Sequence, residues 1–182
     1  MRSNPDDFAE SIERDLAEAE QRYTSNASLR VAVVGPNLGN ADDPGSVKRQ
    51  QIYDAIKSNG HDPFFPEEHV NSNYNLPLLD QERLILNRDD VDLVIVLDCS
   101  GVALAEISNF ASFPEIVIKT GVLFPLEFDI RDSLPRNVIA SYSHQWKYTQ
   151  EDLEACHVVE VCLDWVRNRL LGAWSIMVSH KD

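Results

Sequence analysis

Two short, nearly continuous apolar runs constrain this chain more than anything else in it. Leu29–Val34 and Val91–Leu97 are rich in β-branched residues and interrupted only by Arg30 and Asp92 near their starts. A strand with one wet face alternates apolar and polar side chains, whereas a strand covered on both faces reads as a continuous apolar run. Both runs therefore predict interior strands of a parallel sheet and neighbours of one another. Each run ends in turn chemistry, Gly35-Pro36-Asn37 after the first and Asp98-Cys99-Ser100-Gly101 after the second.

Helical spacing fills the intervals. Ser46–Ser58 carries apolar residues at steps of three and four and stops at Asn59-Gly60. Leu79–Asn87 and Val102–Ala111 read as further helices. Glu151–Leu170 reads as a long one capped by Thr149, with Leu153, Val158, Val161, Cys162, Trp165 and Val166 facing inward. His61–Phe65, Glu115–Lys119 and Val138–Tyr142 are the remaining strand expectations. Strands alternating with helices predict an α/β fold: an open, mainly parallel five-stranded sheet with helices on both faces, plus N- and C-terminal helices. Residues 1–28 are expected to form an N-terminal helix (5–23) and linker, and 29–182 a single α/β domain.

Composition removes several function classes. The net charge of −14 repels phosphate backbones, so duplex nucleic acid is not an expected partner. No apolar run reaches the ~20 residues of a membrane span, and Met1–Leu16 has no signal-peptide character. Three cysteines without metal-ligand spacing suggest a reducing, cytoplasmic setting, and no metal or cofactor is expected. Glu67, Glu68 and His69 stand together but lack the distant ligand an ion needs, so they read as a polar loop. Arg49 reads as a solvated basic side chain rather than a phosphate ligand.

Open α/β sheets bind ligands outside the carboxyl ends of their strands. That rule selects Gly35, Pro36 and Asn37 after the first strand and Asp98, Ser100 and Gly101 after the third as substrate-binding candidates. Glu106, one turn into the following helix, is the catalytic candidate, because a carboxylate there can attack a sugar carbon or stabilise an oxocarbenium ion. The competing structural readings are a helix-dipole glutamate, a capping aspartate and plain turn residues.

The segment Ser100-Gly101-Val102-Ala103-Leu104-Ala105-Glu106-Ile107-Ser108-Asn109-Phe110, following Leu93–Asp98, resembles the nucleoside 2-deoxyribosyltransferase-like superfamily, closest to the effector-like branch of bacterial antiviral defence systems such as retrons. There an apolar strand precedes Ser-Pro-Gly-Ser-x-x-Glu-Leu-Gly-x-Phe, and Ser100, Glu106 and Phe110 fall on the matching Ser, Glu and Phe. Val31–Asn37 and Phe64–His69 are also similar to segments of that branch. Gly101 stands one place early, and Ser108 replaces a glycine. The resemblance spans roughly residues 29–120. It implies cleavage or transfer at the N-glycosidic bond of a nucleoside, nucleotide or NAD, with Glu106 acting at C1 of the ribose. It also implies a homodimer or larger assembly. The alternatives are a nucleotide-sensing module without turnover, favoured by the displaced glycine and Ser108, and an oligomeric interaction protein.

Overall fold

The computed structural model describes residues 14, 17–19, 21–40, 42–98, 102–126, 138–142 and 144–179, with the side chains of 102–105 and 174–179 outside that description. Most of the expected helix 5–23 lies outside the described residues, although 21–26 are helical. Five strands form one sheet: β1 (Arg30–Val34), β2 (Asp62–Phe64), β3 (Leu93–Leu97), β4 (Thr120–Pro125) and β5 (His144–Tyr148). Every pairing is parallel and the order is β2-β1-β3-β4-β5. The two apolar runs are adjacent, as their composition predicts, with Val31 opposite Leu93 and Val34 opposite Val96. This is the flavodoxin-like strand order, with its topological switch point between β1 and β3.

The helices are α1 (Pro44–Ser58), α2 (Leu78–Leu86), α3 (Val102–Phe110), α4 (Pro114–Val117), α5 (Gln150–Glu154) and α6 (His157–Ser179). They cover both faces of the sheet. Val31, Val33, Leu93, Ile95 and Leu97 point to one core, closed by Ile52 and Ile56 of α1 and by Val158, Cys162 and Val166 of α6. Ala32, Val34, Val94 and Val96 point to the other, closed by Leu86 of α2, Ile107 and Phe110 of α3 and Ile116 of α4. Period-two alternation feeds two cores at once, which is why β1 and β3 carry apolar residues at nearly every position.

Two strand expectations are corrected. Glu115–Lys119 is not the fourth strand: Pro114 occupies the first turn of α4, where its ring presets helical φ, and the β-branched run Ile116-Val117-Ile118 follows it round. Val138–Tyr142 is a helical turn rather than the fifth strand. The fourth strand is Thr120–Pro125, fully buried, and the fifth is the edge strand His144–Tyr148. The expected helix from Glu151 to Leu170 breaks at 155–156 and continues to Ser179, and Thr149 heads its first part with a reciprocal capping box to Asp152.

Gly121 explains why β4 escapes propensity reasoning. A Cβ there would lie 2.4 Å from the indole ring of Trp165 on α6, so the long helix seats its tryptophan where β4 has no side chain. Gly121→Ala is expected to cost about 1–3 kcal/mol by overpacking, read as a lowered midpoint in thermal unfolding. A variant as stable as the parent would show that the ring moves aside freely.

Candidate functional site

A cleft of about 580 Å³ opens at the carboxyl ends of β1 and β3, the switch point of the sheet. Its size suits a nucleoside-sized molecule. Four segments build it. The first is the end of β1 and its loop, with Val34, Gly35, Pro36 and Asn37. Gly35 is required by close approach: a Cβ on it would stand 2.8 Å from the Leu97 carbonyl oxygen at the end of β3. The loop is braced locally, since the Asn37 side chain accepts from the Gly39 amide at 3.0 Å and that of Asn40 from the Asp42 amide at 3.2 Å.

The second segment is the start of α1. Asp43 caps this helix by accepting from the Ser46 amide at 2.7 Å, and the Ser46 hydroxyl donates to the Asn37 carbonyl at 2.6 Å. Arg49, one turn further on, is not solvated as its sequence context suggests. Its side chain is 2% exposed. Its Nε donates to the Val33 carbonyl at 3.1 Å, its Nη1 to those of Gly35 and Pro36 at 3.2 and 3.0 Å, and its Nη2 to Val33 at 2.7 Å. Both Nη atoms grip Glu67, at 2.6 and 2.8 Å. The guanidinium also lies over the Phe65 ring, 4.7 Å from its centroid.

Third comes the 3-10 turn Pro66–His69 after β2, which places Pro66 and Glu67 in the cleft wall. His69 packs edge-on against Phe64 with ring centroids 5.1 Å apart, so Glu67 and His69 serve different neighbours rather than one ion. Fourth are two helical stripes. Leu78, Glu82 and Leu86 recur every four residues along α2, and Glu106 and Phe110 do so on α3.

Glu106, the sequence-derived catalytic candidate, is therefore in the cleft with Gly35, Pro36 and Asn37. Asp98 is fully buried at the end of β3 and is not part of the cleft wall. Its backbone carbonyl accepts from the Tyr148 hydroxyl. Ser100 and Gly101 lie outside the described residues, as does Cys99. Glu82 escaped the sequence reading. Its signal was an acidic residue at an i, i+4 position of the apolar stripe of α2, where a solvated face would not put it.

Burial pushes the Glu106 carboxyl up to about 7, reinforced by the negative charges of Glu82, Glu67 and Asp98 and opposed by Arg49. Glu82 is raised as well, by burial first and by Glu67 next, again against Arg49. Two carboxyls displaced towards the neutral form in one cleft are groups able to give and take protons near neutral pH.

The folded protein holds the Glu106 proton at pH values where the unfolded chain, at an ordinary 4.5, has lost it. Stability tied to this group is thus greatest at low pH and declines as pH rises from about 4.5 through about 7. Glu106→Gln removes the penalty. It is expected to be more stable than the parent at pH 8 by about 1–2 kcal/mol, after discounting for the solvent-open cleft. The gain should vanish near pH 4.5. Thermal melts of both proteins across pH check this, and a gain independent of pH would contradict it.

No protein-family model and no curated protein matches the chain. Among the described residues no helix is long and apolar enough to cross a membrane.

Proposed function

We propose that the chain cleaves, or transfers at, the N-glycosidic bond of a nucleoside-type ligand, with Glu106 acting at C1 of the ribose. The observation that carries this reading is the carboxyl of Glu106, raised to about 7, in a nucleoside-sized cleft at the switch point of a parallel sheet. The resemblance of Ser100–Phe110 to the deoxyribosyltransferase-like superfamily supports the same assignment. In the proposed step ionised Glu106 attacks C1, or balances the positive charge that develops there, as the C1–N bond breaks. Glu82, favoured in its neutral form by burial, delivers a proton to the departing base. Water or a second base then takes the sugar from Glu106. Asn37 and the Gly35–Pro36 backbone line the same cleft and offer contacts for the sugar.

Incubation of the protein with a panel of ribo- and deoxynucleosides and NAD, followed by chromatography for free base, tests the proposal. Base release that depends on Glu106 supports it. Tight binding without release over long incubation would leave the sensing module as the better account.

A further inference from the structure

The charged groups around the cleft are arranged in a way that discriminates among N-glycosides. In doubly wound folds the usual phosphate position is the N-terminus of the helix that follows the first strand, where free amides and the helix dipole meet the anion. Here that position is α1, and it carries its own anion. The Asp43 carboxylate accepts from the Ser46 amide at 2.7 Å, and the Ser46 hydroxyl is directed to the Asn37 carbonyl at 2.6 Å. A phosphate arriving there meets a carboxylate already seated on the donors it would use.

The second usual device, an arginine fork, is also engaged. Among the described residues lining the cleft, Arg49 is the one cation. A guanidinium has five N–H donors. Nε donates to Val33, Nη1 reaches the Gly35 and Pro36 carbonyls and Glu67, and Nη2 reaches Val33 and Glu67. At 2% exposure the fork turns no free N–H towards the cleft. Against this single cation, already paired with Glu67, stand the Asp43 carboxylate and the ionised fraction of Glu106, with the Glu82 carboxyl in the same wall. The local field therefore has the same sign as the whole chain, whose net charge is −14.

We propose that the cleft takes unphosphorylated nucleosides, and that Asp43 and the Glu67–Arg49 pair exclude the phosphate of nucleotides and of NAD. This narrows the N-glycosidase reading and rests on it for the identity of the base and sugar. The exclusion itself stands on the charges alone. A 5′-monophosphate brings close to two further negative charges against the Asp43 carboxylate and a wall of acidic groups with no free cation among its described residues. At a few ångströms each such encounter is worth on the order of a tenfold change in affinity, and more where water is excluded.

The test pairs each nucleoside with its own phosphate: adenosine with AMP, uridine with UMP and their 2′-deoxy forms, with NAD alongside. Base release and thermal protection are both measured. The nucleoside is expected to exceed its monophosphate at least about a hundredfold in kcat/KM, with a margin that narrows as salt is raised. In Asp43→Asn the cap is kept, because asparagine also accepts from the helix amides, and the charge is removed. That variant should fold normally and lose about tenfold of the preference. Protection by nucleosides but not by monophosphates, with base released from neither, would retain the exclusion and remove the glycosidase reading. Release from AMP, UMP or NAD as fast as from the nucleosides would overturn the exclusion and retain the glycosidase reading. No binding and no release with any compound at millimolar concentration would overturn both. A preference unchanged in Asp43→Asn would overturn the role given to Asp43.

Discussion

Replacing Glu106 with glutamine is expected, on the proposed function, to lower nucleoside turnover by about a thousandfold or more while substrate affinity stays within about threefold. The substitution preserves shape and removes only the ionisable oxygen. Loss of one preorganised electrostatic group costs about a hundredfold to a thousandfold in kcat, and loss of a covalent nucleophile costs more. Affinity is spared because the carboxylate matters chiefly as charge develops at C1, so the loss appears in kcat rather than KM. The pH profile provides a second handle. With its carboxyl at about 7, Glu106 is ionised in only part of the population at neutral pH, and kcat/KM should climb up to that value before levelling. Residual activity of Glu106→Gln should lack this climb. A variant that retains more than a tenth of the parent rate would remove Glu106 from the chemistry and return attention to Glu82.

The parts of this site legible from sequence are those where one physical demand acts alone. Val31–Val34 and Leu93–Leu97 are buried on both faces and need apolar residues at every position, so their runs stand out and their adjacency follows. The position of Glu106 in the cleft follows from the strand-end rule, which points to the helix after β3 among other strand ends; its proposed role leans on the resemblance as well. β4 was missed because two demands compete there. Gly121 leaves room for Trp165, and Pro125 ends the strand, so the segment reads as turn although all six residues are buried. α4 was missed for the converse reason: Ile116-Val117-Ile118 favours a strand, and Pro114 at the helix start overrides it. Arg49 reads as solvated, and Glu82 does not stand out, because charge on a helix ordinarily means solvent. Arg49 is buried by partners from β1, the first loop and the turn after β2, none of them near it in sequence. Long-range satisfaction of a buried charge leaves no local pattern to read.

Arg49 is also where the fold and the cleft depend most on a single side chain. Arg49→Met keeps the stem and its packing on Phe65 but strips the donors from the Val33, Gly35 and Pro36 carbonyls and leaves Glu67 without its cation. Glu67, 38% exposed, falls back on solvent, so the loss comes from the carbonyls left without donors, about 1–3 kcal/mol for each one that stays buried, and the thermal midpoint of a chain this size should fall by roughly 5–10 °C. Arg49→Lys restores the charge without the fork. A single ammonium has three donors and cannot bridge the β1 carbonyls and both Glu67 oxygens together, so it should recover less than half of the loss. Arg49 also opposes the upward displacement of Glu106, so in the methionine variant Glu106 should titrate above its parent value of about 7. Carbon-13 NMR of the glutamate carboxyls follows that titration, and circular dichroism melts follow the stability. An Arg49→Met protein whose stability lies within about 1 kcal/mol of the parent, short of the loss expected for several carbonyls stripped of their donors, would show that backbone and packing hold the first loop without the guanidinium. A Glu106 titration unmoved in the same variant would show that solvent screens the two groups from each other across the cleft.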